Sequence, residues 1–186
     1  MTLDEIVSDY IREYRDDARA EMRFFEIQRR PSEAIRKAAL CVLPSGKRHP
    51  HQRRIPKSIL EQAEARLQGI ARSLVKARDF AALHRLVEQR IGGIHGIGAL
   101  TVYDIAHRVS AYFRKAPNLV YLHAGTRAGA RPFSISGESV NAESLPGVFR
   151  RLTPAEIEDC LCIYKDELRD SRRHFAARRA RCIPSA

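Results

Sequence analysis

Apolar residues recur every three or four positions along most of the chain, which is the spacing of amphipathic α-helices. Before residue 117 there is no convincing alternation of apolar and polar residues, the pattern of a half-buried strand. The sequence therefore predicts an all-α protein, built as a helical bundle. A first, heavily charged helix is expected over residues 3–28. Its apolar stripe is expected to contain Ile6, Tyr10, Ile11, Tyr14, Ala18 and Met22.

Local start signals predict where other helices begin. Pro31 suits the first position of a second helix, where its missing N–H costs nothing. A third helix is expected from Leu60 to Leu74, and Asp79 is the expected N-cap of the next one. Residues 153–156, Thr-Pro-Ala-Glu, contain an N-cap, a first-turn proline and a capping-box glutamate, which together mark the last helix.

We divide the chain into an N-terminal helical region, residues 1–79, and a second region, residues 80–186, and expect the two to form one compact unit. After Pro117 the pattern is less regular, with a short apolar run at 119–122 and a polar, turn-rich stretch at 133–146. Residues 124–131 are small and basic, a composition that would let a ligand approach the backbone closely.

Charge is the first indication of function. The chain has 33 Lys and Arg against 22 Asp and Glu, a net charge of +11. Residues 1–30 contain eight acids and six bases, so the other 156 residues carry +13. Such an imbalance attracts polyanions and favours nucleic acid as the partner. A basic protein without an anionic ligand is the alternative.

Residues 44–57, which we call the basic loop, contain three prolines and one glycine and are predicted to be irregular. We interpret this loop as an arm that contacts phosphates, with a merely solvated loop as the alternative. The basic tail from Arg169 to Arg181 would act similarly or cap the last helix. Two histidines in the loop have no Cys or carboxylate nearby, so no metal site is predicted. The cations of the basic loop are Lys47, Arg48, Arg53, Arg54 and Lys57.

The most informative segment is Ile94-His95-Gly96-Ile97-Gly98, which lies between two amphipathic helices. Gly96 and Gly98 permit the tight backbone of an interhelical turn and leave room for a phosphate. Ile94 and Ile97 would fix the turn to the core between the two helices. The next helix is expected to begin near Ala99, so its free N–H groups and positive dipole end form an anion site. We expect Gly96, Ile97, Gly98, Leu100 and Thr101 to contact DNA, with the Thr101 hydroxyl bonding either the phosphate or its own helix.

Residues 80–113 resemble a helix-hairpin-helix motif. The wider span of about 80–170 resembles the corresponding part of the helix-hairpin-helix DNA glycosylase superfamily, with 8-oxoguanine DNA glycosylases as the nearest comparison. Outside the hairpin the resemblance depends on Val120-Tyr121-Leu122-His123 and on Phe149-Arg150-Arg151 before the last helix. It implies a scaffold that holds DNA.

The resemblance also implies which catalytic groups this chain lacks. The family's lyase members have a nucleophilic lysine two residues after the second hairpin glycine, where this chain has Leu100. Tyr121 occupies the aligned position of the catalytic aspartate, and His123 matches a histidine of some relatives. Leucine can neither attack an anomeric carbon nor form a Schiff base. We therefore name no catalytic residue.

We expect a non-catalytic protein that binds the DNA backbone without strong sequence specificity. A divergent DNA glycosylase of base-excision repair is one alternative. The other is a protein-interaction module whose basic surface meets an acidic partner, with the apolar stripe of the first helix available for self-association. No cofactor is expected, and Cys41, Cys160, Cys162 and Cys182 are interpreted as reduced, mostly buried thiols. No apolar run is long enough to cross a bilayer, and the acidic first residues do not resemble a signal peptide, so a cytoplasmic location is expected.

Overall fold

The computed structural model describes residues 1–170, except for the side chain of His51, and these residues are mostly helical. This agrees with the predicted all-α class. Within that range, no helix has the length and apolar character needed to cross a membrane. The α-helices are α1 (Leu3–Glu13), α2 (Arg15–Glu26), α3 (Pro31–Ala39), α4 (Lys57–Gln68), α5 (Ala71–Lys76), α6 (Phe80–Ile91), α7 (Ala99–Tyr112), α8 (Ala124–Ala130) and α9 (Pro154–Ile163).

Two short strands, β1 (Val120–Tyr121) and β2 (Ser139–Val140), form an antiparallel pair that the sequence did not predict. Val120 lies opposite Val140, and Tyr121 lies opposite Ser139. Single turns of 3₁₀ helix complete the regular structure at Pro50–Gln52, Arg131–Phe133, Ala142–Ser144 and Gly147–Arg151.

The chain folds as two compact units. Unit 1 comprises Met1–Asp16 and the described residues from Asn118 onward, and unit 2 comprises Asp17–Pro117. The boundary expected from the sequence, between residues 79 and 80, lies inside unit 2. Each unit has its own set of buried apolar side chains.

In unit 1, α8 packs against α9, and α1 packs against the 3₁₀ turn that precedes α9. Polar side chains join α1 to α9 as well. The Tyr10 hydroxyl donates to Asp159 at 3.0 Å, and the Tyr164 hydroxyl donates to Asp9 at 2.6 Å. The core of this unit is formed by Ile6, Val7, Tyr10, Val120, Leu122, Ala130, Leu145, Phe149, Leu152, Ile157, Cys160, Leu161, Tyr164 and Leu168.

The predicted first helix is in fact two helices, which is a correction. The helix is interrupted at Tyr14, whose φ of −122° ends α1. The next residue, Arg15, donates to the carbonyl of Arg151 and forms an ion pair with Glu156, so the break lies among contacts to distant parts of the chain. Periodicity within 3–28 cannot show such contacts. Of the predicted stripe, Ile6 and Tyr10 are buried within unit 1, Ile11 is partly buried, and Tyr14 is exposed.

In unit 2, α3 packs against α4, α5 and α7, while α6 packs against α4, α5 and α7. The helix predicted over 60–74 is divided into α4 and α5, a second correction. The break falls at Gly69 and Ile70, where glycine has low helix propensity and Ile70 has a φ of −117°. An arginine lies in the core: Arg108 is 4% exposed and forms an ion pair with Glu21 at 3.0 Å.

Three predicted helix starts are confirmed. Asp79 caps α6 by accepting the Ala82 N–H at 2.8 Å, and this hydrogen bond lowers the pKa of Asp79. Thr153 and Glu156 form the predicted capping box at the start of α9. Pro31 is the first residue of α3. Local sequence signals therefore set these boundaries correctly.

Candidate nucleic-acid interface

Residues 92–98 form a short turn between α6 and α7, which we call the 92–98 turn. The Ile97 N–H donates to the Ile94 carbonyl at 3.0 Å and closes four residues of it. Gly96 is the third of these four residues and has a φ of +92°. This backbone conformation is strained for any residue that has a side chain. Ile94 and Ile97 are 4% and 7% exposed, so both isoleucines anchor the turn to the core, as predicted.

The start of α7 presents backbone N–H groups that have no acceptor in the helix. Helical hydrogen bonding begins with the Val102 N–H, which donates to the Gly98 carbonyl at 3.0 Å. The four amides of residues 98–101 precede that bond, and no side chain caps the helix at Gly98. Gly98 and Ala99 are exposed. This end of α7 is therefore open to an anion.

Gly98 and Gly96 differ in what they require of the backbone. Gly98 has a φ of −96° and a ψ of 172°, an extended conformation open to any residue. A Cβ on Gly98 would meet nothing within 4 Å. Glycine at 98 is therefore not needed for the fold, and its effect is to leave the space in front of the α7 amides open. Gly96, in contrast, is required by its positive φ.

Two predicted DNA contacts have little accessible side chain. Leu100 is half-buried, and Thr101 is 8% exposed. At these two positions the backbone N–H group, rather than the side chain, is available to an anion at the open end of the helix. The Thr101 hydroxyl is less accessible than the sequence suggested.

The start of α4 lies beside the 92–98 turn. The Cγ2 of Ile59 is 3.9 Å from the point where a Cβ on Gly96 would be. The basic loop runs into α4 at Lys57, so the end of this loop is brought close to the turn. Lys57 itself forms an exposed ion pair with Glu61 at 3.3 Å.

The basic loop is fastened to α7 by a residue that the sequence did not single out. Gln52 is fully buried, and its amide donates to the Asp104 carboxylate one turn into α7. No sequence signal marks one glutamine among the loop's prolines and cations, because its role depends on a residue 52 positions away. By accepting this hydrogen bond, Asp104 holds the loop against α7.

Of the loop's five cations, four are exposed, and Arg48 is used internally. Lys47, Arg53 and Arg54 are exposed and form no ion pair with any described residue. Arg48 is half-buried, and its guanidinium donates to the Ile55 carbonyl at 2.7 Å, which stabilises the loop. The structure therefore leaves three of these predicted DNA contacts available to an outside anion and gives Arg48 an internal role.

The two units differ strongly in charge. Unit 2 contains 20 Lys and Arg against 9 Asp and Glu, a net +11 that equals the formal charge of the whole chain. The described part of unit 1 contains 8 bases against 13 acids. The 92–98 turn and the basic loop thus both belong to the strongly basic unit. The basic tail beyond Asp170 and Cys182 lie outside the described residues.

The positions aligned with the glycosylase catalytic groups are divided between the two units. Leu100 belongs to unit 2, whereas Tyr121 and His123 belong to unit 1. His123 is buried, with its Nε2 3.8 Å from Glu158 Oε1, and that same oxygen accepts the Thr126 hydroxyl at 2.7 Å. This is a buried polar cluster that supports the packing of α8 on α9.

The glycines of 124–131 have a packing role, which corrects their interpretation as a surface for ligand approach. A Cβ on Gly129 would lie 2.0 Å from the Leu161 carbonyl oxygen, and one on Gly125 would lie 2.5 Å from Cys162 Sγ. They allow α8 to approach α9 closely. The described residues contain no group of three or more His, Cys, Asp or Glu placed to hold a metal ion.

The buried thiols agree with the sequence interpretation where they are described. Cys41 and Cys160 are fully buried and unpaired by disulfides, and Cys162 is half-buried. Burial raises the pKa of Cys41 to about 11 and that of Cys160 to about 12. Neither thiol is therefore a nucleophile at neutral pH.

Comparisons with protein-family models, with curated proteins and with solved structures find no match to this chain. The resemblance to the glycosylase superfamily therefore stays a prediction from the sequence. What the chain does must be inferred from its own geometry and charge.

Proposed function

We propose that unit 2 binds the phosphate backbone of DNA, with the open amides at the start of α7 gripping one phosphate. The single observation that carries this proposal is the exposed, uncapped start of α7 beside Gly98, on the unit that holds the chain's net charge of +11. The resemblance of residues 80–113 to a helix-hairpin-helix motif supports the same function.

The physical basis is the electrostatics of a helix end. The four free N–H groups and the macrodipole place about half a positive charge at the start of α7. Phosphate oxygens are good acceptors for such amides, and sites of this kind need no cationic side chain. The absent side chain at Gly98 permits close approach.

The basic loop adds contacts that hold the backbone without reading bases. Lys47, Arg53 and Arg54 are exposed, and the loop that carries them is fixed to α7 by Gln52. Contacts to phosphates position a protein on DNA but carry no sequence information. With one phosphate at α7 and three in the loop, log K should fall against log salt with a slope of about −3 to −4.

The proposed function does not include base excision. Leu100 has no nucleophilic atom, and it occupies the position where the resemblance would require a lysine. The uncharged Tyr121 occupies the position of the aspartate. The proposal is therefore a binding protein without strong sequence preference.

The experiment compares two variants with the same change in charge. Gly98→Asp places a carboxylate before the α7 amides, where it caps the helix and repels phosphate. Gly93→Asp introduces the same charge in the same turn, at an exposed glycine where a Cβ would meet nothing within 4 Å. Affinity for a duplex of about 20 base pairs is measured by fluorescence anisotropy at low salt.

We expect Gly98→Asp to bind at least about tenfold more weakly than Gly93→Asp, while its free energy of unfolding is equal or slightly higher. A loss of affinity without a loss of stability is not expected from damage to the fold. Equal affinities of the two variants would show that the start of α7 does not contact DNA.

A further inference from the structure

A groove on unit 2 is lined by residues that lie outside the 92–98 turn and the basic loop. It lies between the end of α2 and the outer side of α3, and we call it the α2–α3 groove. It encloses about 660 Å³, which is room for several side chains. Its lining residues all fall within Phe24–Val42.

Four of the nine lining residues are apolar although the groove faces solvent. Phe24, Leu40 and Val42 are only partly buried, and Ile27 is 70% exposed. Ile27 is the most exposed large apolar side chain among the described residues. Apolar side chains grouped in a concave surface favour contact with other apolar side chains.

The rest of the lining is mainly cationic. Arg29 and Arg36 are exposed and form no ion pair with any described residue. Lys37 Nζ donates to Gln28 at 2.6 Å and lies 4.8 Å from the centre of the Phe24 ring. Glu33 is the one acid among the lining residues, so the groove has a net charge of +2.

These features distinguish a peptide from a nucleic acid strand. Single-stranded nucleic acids stack their bases on open aromatic faces. The groove has one aromatic ring, Phe24, and the Lys37 ammonium occupies a position over that ring. Aliphatic side chains with cations beside them fit an amphipathic helix that has apolar anchors and acidic residues flanking them.

We propose that the α2–α3 groove binds an acidic, amphipathic helical segment of a partner protein. The apolar side chains of the bound segment contact Ile27, Leu40 and Val42, and the carboxylates of the segment pair with Arg29 and Arg36. The groove shares no lining residue with the proposed DNA site, although Val42 pairs with Arg48 of the basic loop. The chain would therefore hold a partner protein and DNA by neighbouring parts of unit 2.

The probe is a fluorescent synthetic peptide of about 16 residues, with leucines at helical i, i+3, i+4, i+7 spacing and glutamates between them. A peptide of the same composition in scrambled order is its control. The full-length protein is tested, and binding is followed by anisotropy. The groove variant carries Ile27→Glu and Arg36→Glu. The matched control carries Val75→Glu and Arg72→Glu, which change the same charges at an exposed valine and an exposed arginine of α5.

The patterned peptide is expected to bind at least about tenfold more tightly than the scrambled one. The groove variant should lose about tenfold in affinity, and the matched control should lose less than about twofold. All four substituted side chains are exposed, and circular dichroism checks that both variants keep the helical content of the parent.

Equal binding of the two peptides, or an equal loss in both variants, would overturn the proposal, because binding would then be a general effect of charge. If the groove variant bound an oligothymidylate more weakly than the parent protein but bound the peptide equally well, the groove would be a nucleic acid surface instead. Failure of the Gly98→Asp test would leave this proposal unaffected, because the two surfaces share no residue.

Discussion

The contact between α8 and α9 gives the sharpest prediction about stability. Alanine has a higher helix propensity than glycine by about 1 kcal/mol, so a Gly→Ala change inside an open helix stabilises it. At Gly129, however, the new Cβ would lie 2.0 Å from the Leu161 carbonyl oxygen and 2.8 Å from the carbonyl carbon. Both are backbone atoms of α9 and cannot rotate away. We therefore expect Gly129→Ala to destabilise unit 1.

The magnitude follows from the kind of atom that is in the way. Overpacking costs about 1–3 kcal/mol when side chains can adjust, and more when backbone must move. We expect a net loss of about 3 kcal/mol in the free energy of unfolding, which corresponds to a fall of about 6–12 °C in Tm for a chain of this size. At Gly125 the nearest atom is the Cys162 side-chain sulfur, 2.5 Å away, so Gly125→Ala should cost only about 1 kcal/mol.

The assay is urea denaturation followed by circular dichroism. Gly147→Ala is the matched control, since a Cβ there would meet nothing within 4 Å. The expected order of stability is Gly147→Ala highest, Gly125→Ala intermediate and Gly129→Ala lowest. If Gly129→Ala were as stable as Gly147→Ala, that result would contradict the close approach of α8 to α9 at Gly129.

Three further predictions concern unit 2. Burial, and then the charge of Arg108, lower the pKa of His107 from 6.5 to about 4. The unfolded chain therefore binds more protons between these pH values, and the free energy of unfolding should fall by about 2 kcal/mol from pH 7 to pH 4.5. His107→Gln should remove that part of the loss in urea titrations, and an unchanged pH dependence would contradict the shift. Arg53→Gln should reduce the magnitude of the slope of log K against log salt for DNA binding by about 0.9, whereas Arg72→Gln on α5 should leave it unchanged. Equal slopes for the two variants would show that Arg53 of the basic loop does not contact DNA. Asp79→Ala should cost about 1 kcal/mol by removing the α6 cap and Asp79→Asn much less, and similar losses in both would indicate that the cap contributes little.

The features that could be predicted from the sequence are those fixed by a few adjacent residues. Asp79, Thr153 and Pro31 mark helix starts because capping hydrogen bonds and the proline ring act over three or four positions. The burial of Ile94 and Ile97 and the start of α7 at Ala99 could also be predicted, because they depend on the same few adjacent residues of the turn.

The features that were missed depend on residues far apart in the chain. The break at Tyr14 lies beside Arg15, which bonds to Arg151, and the strand at Val120 exists because Val140 lies opposite it. Glycines also have no pattern that separates close packing from ligand approach. At Gly129 the absence of a Cβ lets α9 pack closely, whereas at Gly98 the space that a Cβ would occupy is open.

The candidate site divides in the same way. The sequence identified the 92–98 turn and the loop cations separately, through local glycine and charge patterns. It could not show that buried Gln52 ties the loop to Asp104, or that Arg48 is used inside the loop. It also could not show that the whole net charge of +11 falls within Asp17–Pro117.

The central claim is that main-chain amides at the start of α7 hold a DNA phosphate. It is tested most directly by recording ¹H–¹⁵N spectra of the labelled protein while a short duplex is added at low salt. We expect the amide resonances of Gly98 to Thr101 to show the largest downfield proton shifts, with those of Lys47 to Arg54 moving next. Unchanged resonances for Gly98 to Thr101 while other amides shift would contradict the claim.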